Sequence, residues 1–86
     1  MAEVTIVSGP PGAGKTALCV ELCRRFEYAV HLHTDSFFGA IRSGYILPWL
    51  PESHDQNQVC ILAAARATVP YVRAGYEVFV YGVIGP

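Results

Sequence analysis

Between a β-branched run, Val4-Thr5-Ile6-Val7, and a stretch of helix-forming residues lies the octapeptide Gly9-Pro10-Pro11-Gly12-Ala13-Gly14-Lys15-Thr16. No other feature of this chain limits its fold so tightly. The octapeptide satisfies the phosphate-loop pattern G-x-x-x-x-G-K-[ST] at every position. Glycines permit backbone angles that a Cβ forbids, and they let peptide N–H groups close on an anion. A helix that follows directs the positive end of its dipole at the same point. Lys15 supplies a cation able to reach β- and γ-phosphates, and the Thr16 hydroxyl suits Mg²⁺. With Ala17 next in line, this is the expected binding stretch for a nucleoside triphosphate, ATP foremost. Such a loop reads phosphates and not the base, so GTP stays open. At average residue usage a chain of this length meets the pattern by chance roughly a few times in a thousand. The strand before it and the helix after it are the setting the motif requires, which a chance glycine-rich turn lacks.

The remaining chain fits the same plan. Residues 15–27 favour a helix, with Leu18, Val20, Leu22 and Phe26 available to face a sheet. Residues 28–33 form a second strand, and residues 34–51, aromatic and without a period, a short helix and an ordered loop. Ser53-His54-Asp55-Gln56 has the form of a capping box opening a long helix. Pro70 is expected to kink or interrupt that helix, and Gly75 to cap it. Val78-Phe79-Val80-Tyr81 is a third strand, continuously apolar as a buried parallel strand should be. Strand, helix, strand, loop, helix, strand implies an α/β fold with a parallel sheet and right-handed crossovers.

With 86 residues there is room for one domain, residues 1–86, near the lower size limit for independent stability. A net charge of −1 without a Lys or Arg cluster argues against nucleic-acid or anionic-membrane partners, both of which need a basic footprint. No apolar run is long enough to span a bilayer and no secretory signal is evident, so a cytoplasmic location is expected. Cys19, Cys23 and Cys60 lack zinc-like spacing and read as reduced, small core residues.

Asp35 follows the second strand. In open parallel sheets ligands bind beyond the carboxyl ends of the strands, which places Asp35 on the rim of the phosphate loop. A carboxylate there could deprotonate an acceptor hydroxyl or hold a magnesium-bound water, and the alternative is a helix N-cap. His31 and His33 alternate on one strand and face the same way. Without a further ligand they are read as core or rim histidines. Arg42, Arg66 and Arg73 are read as solvated charges, and Trp49, between Pro48 and Pro51, as a packing residue.

The glycine-rich motif, His33-Thr34-Asp35-Ser36-Phe37, Gly44-Tyr45-Ile46-Leu47-Pro48-Trp49, Gln56-Asn57-Gln58 and Gly75-Tyr76-Glu77-Val78 together resemble the small P-loop kinases grouped with chloramphenicol phosphotransferase and related AAA-type ATP-binding proteins. That resemblance implies a P-loop NTPase-type sheet and ATP-dependent phosphoryl transfer to a small hydroxyl-bearing molecule. It implies Lys15 and Thr16 at the triphosphate and Mg²⁺, and Asp35 as base. Members of the group are about twice as long, so the chain resembles an N-terminal half, incomplete at its C-terminus. An uncovered half-sheet would leave self-association open. The group usually ends its third strand on an aspartate near the metal, where this chain has Tyr81. A phenol does not replace a carboxylate as a hard Mg²⁺ ligand. A nucleotide-binding module impaired in catalysis is therefore the second reading, and an ATP-hydrolysing NTPase the third.

Overall fold

A computed structural model of the chain describes residues 2–7 and 14–82. Val4–Val7 (β1), Ala29–His33 (β2) and Glu77–Tyr81 (β3) form a parallel sheet in the order β1-β3-β2. The central place falls to β3 because it alone is apolar towards both faces: Val78, Phe79, Val80 and Tyr81 are all buried. Burying a side chain such as Val78 contributes about 1.5–3 kcal/mol. Tyr81 is in register with Val7 on one side and His33 on the other, so the three strands end level.

Helix Lys15–Cys23 (α1) covers one face, where Cys19, Leu22 and Cys23 meet Val7, Phe79, Tyr81 and Ala29. The expected inward set is corrected here, since Leu18 and Val20 are exposed. At 3.6 residues per turn, positions 19, 22 and 23 share one stripe, and 18 and 20 fall on either side of it. The helix also stops short of residue 27. Amides of Arg25 and Phe26 bond the Leu22 and Cys23 carbonyls at 3.1 and 3.2 Å, a three-residue spacing that tightens the turn and ends the α-helix. Phe26 then rests its ring 6.0 Å from that of Phe79.

Helix His54–Arg73 (α3) lies over the opposite face and turns Cys60, Ala64 and Thr68 inward at a four-residue spacing. The helix runs through Pro70 without interruption. In the last turn the proline deprives only the carbonyl one turn back of its usual donor. Gly75 closes α3 as expected. At φ 95 it sits in the left-handed region, its N–H bonds the Val72 carbonyl, and the Tyr76 N–H reaches back to Tyr71, both at 3.0 Å. This is a Schellman closure, and the Tyr71 and Tyr76 rings supply its apolar contact at 6.0 Å.

Among the described residues β1 pairs on one side only. Val4 and Ile6 stay exposed beside an apolar groove of about 230 Å³ whose other wall is Ile61, Ala64, Ala65 and Thr68 of α3. A short helix, Asp35–Gly39 (α2), and a 3-10 turn, Pro51–Ser53, complete the described elements.

Candidate functional site

The three strands end level at their carboxyl ends, and Asp35 follows β2 at that edge of the sheet. Gly14 precedes α1 with φ 77 and ψ 26, left-handed angles that cost any L-residue with a Cβ about 1–2 kcal/mol. Its carbonyl accepts the first helical bond, from Leu18 N–H at 3.0 Å. No acidic side chain stands in the first turn of α1, so no carboxylate on that turn opposes an anion at its start. Lys15 is half-buried at this end, and Thr16 and Ala17 are exposed. Gly9, Pro10, Pro11, Gly12 and Ala13 lie outside the described residues.

Asp35 opens α2 from its first turn; the capping position belongs to Thr34, whose backbone is helical and whose side chain makes no capping bond. The N-cap alternative for Asp35 is thereby set aside. Its carboxylate is 62% exposed, and Oδ2 lies 3.2 Å from Nε2 of His33. His33 stacks on the buried ring of Tyr81 with centroids 4.5 Å apart and planes within 7°. His31 stacks against the same ring at 5.6 Å and 9°. The two histidines therefore share a face, as their alternation requires, and both are occupied with Tyr81.

Gly82 closes the back of this arrangement. Its φ is 115, and a Cβ there would fall 2.8 Å from His33 Cδ2 and against the Thr34 hydroxyl. Thr34 is 2% exposed, and its Oγ1 has no hydrogen-bond partner among the described residues.

In front of Asp35 opens a cleft of about 540 Å³, bounded by Phe38, Ile41, Tyr45, Pro48 and Trp49. Trp49, expected to pack, is instead 76% exposed at this cleft. Its neighbours explain why an irregular segment holds its shape. Gln56 grips Ile46 by both backbone groups, its Oε1 accepting from the N–H and its Nε2 donating to the carbonyl, each at 2.7 Å. Ser53 Oγ lies 2.7 Å from the carbonyls of Pro48 and Leu50. Asn57 Nδ2 donates to Pro48 O and Ser53 Oγ at 3.0 Å. The expected capping box is therefore absent. Ser53 has helical angles, φ −83 and ψ −2, and makes no capping bond, because both side chains are engaged by the preceding segment. Part-buried carbonyls of an irregular loop need donors more than a helix end open to water does. Sequence reasoning missed this clamp; its only trace was an excess of amide side chains at the start of α3.

All three cysteines are free, with Cys19 and Cys60 buried and Cys23 half-buried. Burial pushes each thiol above its ordinary range, and at Cys19 the neighbouring Cys23 adds to the effect. Arg42, Arg66 and Arg73 are exposed. Among the described residues no three His, Cys, Asp or Glu side chains come together as a metal cage, and no helix is long and apolar enough to cross a membrane.

No protein-family model matches this chain, and no curated protein matches it. The class its architecture defines is a small α/β domain with a three-stranded parallel sheet and flanking helices.

Proposed function

We propose that this chain is an ATP-binding, kinase-like protein of P-loop NTPase type that transfers the γ-phosphate to a small hydroxyl-bearing molecule. The observation that carries this reading is Asp35, an exposed carboxylate just past the carboxyl end of β2 in a parallel sheet, on the wall of a cleft of about 540 Å³. The residues present suit the substrate and its metal. Left-handed Gly14, the acid-free first turn of α1, Lys15 and Thr16 form a donor set for polyphosphate, and Thr16 and Asp35 offer oxygens to Mg²⁺ or its water. Bound Mg²⁺ would neutralise charge developing on the phosphates.

The chain's own part is positioning and one proton. Phe38, Tyr45 and Trp49 hold the acceptor, and Asp35 takes its hydroxyl proton as the acceptor oxygen bonds phosphorus and ADP departs. Among the described residues no cation lines the cleft and one carboxylate does, which favours a neutral or cationic acceptor over an anionic one.

Calorimetric titration of Mg-ATP into the wild type and Lys15→Ala, with Mg-GTP as comparison, tests the first half. We expect at least about tenfold weaker binding in the variant, the loss of one charge-assisted contact worth ~1.5 kcal/mol or more. Equal binding by both proteins, or by neither, overturns the phosphate site. Phosphorus NMR with panels of small hydroxylated compounds tests the second: turnover that yields only inorganic phosphate refutes transfer. Tyr81, where a metal-binding carboxylate is expected, favours a second reading, a binding module that holds Mg-ATP and never turns it over.

A further inference from the structure

At position 81 this chain has a phenol where the proteins it resembles carry an acid. The surroundings of Tyr81 give it another task. Its ring is 5% exposed and lies flat under His33, 4.5 Å away and within 7° of parallel. Gly82 lies beside the edge of the same imidazole, where an added Cβ would fall 2.8 Å from Cδ2 and 3.3 Å from Nε2. The stack fixes the plane of the ring, and in that plane Nε2 lies 3.2 Å from Asp35 Oδ2.

We propose that Tyr81, Gly82 and His33 form a positioning array for Asp35. Tyr81 is the shelf, Gly82 the stop, and His33 the donor whose Nε2–H fixes the carboxylate towards the cleft. The inference rests on Asp35 acting as the acceptor-side base. It is needed because Asp35 is otherwise poorly restrained: the side chain is 62% exposed and opens a helix of five residues. A free carboxylate on such an end samples several rotamers, whereas a base must stay within hydrogen-bond reach of one proton. A second interaction at one oxygen leaves the other directed at the acceptor, as outer partners orient ligating side chains elsewhere. An aspartate at position 81 would remove the stacking surface under His33 and set a second negative charge beside Asp35. On this account the residue that looks like a lost metal ligand is a supporting one.

The test compares His33→Gln, His33→Ala, Tyr81→Phe, Tyr81→Asp and Asp35→Ala in the full chain. One readout is phosphate release from Mg-ATP with water as the acceptor probe. The other is nitrogen-15 NMR of the histidine rings at one fixed pH near 8, which reports the nitrogen that carries hydrogen and needs no nucleotide. Tyr81→Phe keeps the shelf and His33→Gln keeps a donor, so both should retain release within about threefold. His33→Ala and Tyr81→Asp should lose about tenfold or more at unchanged Mg-ATP affinity, a fraction of what a positioned base supplies. His33 should be fixed as the Nε2–H form in the wild type and Tyr81→Phe, and released to a mixture in Asp35→Ala and Tyr81→Asp. Faster release in Tyr81→Asp overturns the proposal, since it would mark position 81 as a vacated metal site. An unchanged ring signature in Asp35→Ala overturns it equally. Should the bolder variants fail to fold, Tyr81→Phe and His33→Gln still decide, because tenfold losses in either refute the assigned roles. A wild type that binds no Mg-ATP defeats the proposed function, and the ring signature then judges the array alone.

Discussion

Replacing Gly82 by alanine is the sharpest probe of the rim. Two costs combine there. With φ at 115 the position is one that L-residues seldom adopt, and such strain costs about 1–3 kcal/mol. The new Cβ would also meet the Thr34 hydroxyl and approach His33 Cδ2 to 2.8 Å. Neither neighbour can retreat easily, since Thr34 is buried and His33 lies on Tyr81. Overpacking of this kind costs about another 1–3 kcal/mol, so Gly82→Ala should lose about 2–6 kcal/mol. For a domain of this size whose whole stability is on the order of 4–13 kcal/mol, that is a large share. Gly75→Ala is the matched control. Gly75 also has positive φ, at 95, but an added Cβ meets nothing within 4 Å. It should lose only the conformational part, about 1–2 kcal/mol. Urea unfolding followed by Trp49 fluorescence separates the two. At a slope of ~1 kcal/mol per molar, the Gly82 variant should unfold about 1–3 M earlier than the Gly75 variant. Equal midpoints would refute the close approach, and with it the stop behind His33.

The other predictions concern single contacts. Thr34→Val should be neutral or stabilise by up to about 1 kcal/mol in the same assay, because it removes a buried hydroxyl with no described partner. Gln56→Leu should cost about 1–3 kcal/mol, since both backbone groups of Ile46 lose their partner; Trp49 fluorescence should become easier to quench as the cleft wall loosens, and unchanged quenching would count against the clamp. The raised thiols set a direction with pH. Above the ordinary thiol range the unfolded chain sheds protons that the folded chain keeps, so stability should fall as pH rises through that window. Cys19→Ser and Cys60→Ser should flatten that fall. Thiol labelling of the native protein at pH 8 should reach Cys23 well before Cys19 or Cys60.

What sequence alone determined here is what depends on neighbours along the chain. The β-branched run of β1, the unbroken apolar run of β3 and the left-handed glycine closing α3 each follow from the local preferences of a few residues. Parallel pairing follows from their alternation with helices, and the motif Gly9 to Thr16 is a sequence signal whose first five residues lie outside the described structure. Tertiary structure decided whatever joins residues far apart. Local pattern does not reveal that β3 would insert between β1 and β2, bringing Tyr81 level with His33. It reads Ser53 and Gln56 as a cap because the local partner is the nearest one, yet part-buried carbonyls ten and five residues upstream compete for the same side chains and win. Asp35 could be set on the rim from its place after β2. The ring beside it, the glycine next to that ring and the cleft it lines appear only when the strand ends are drawn together, because each joins residues whose meeting no local pattern records.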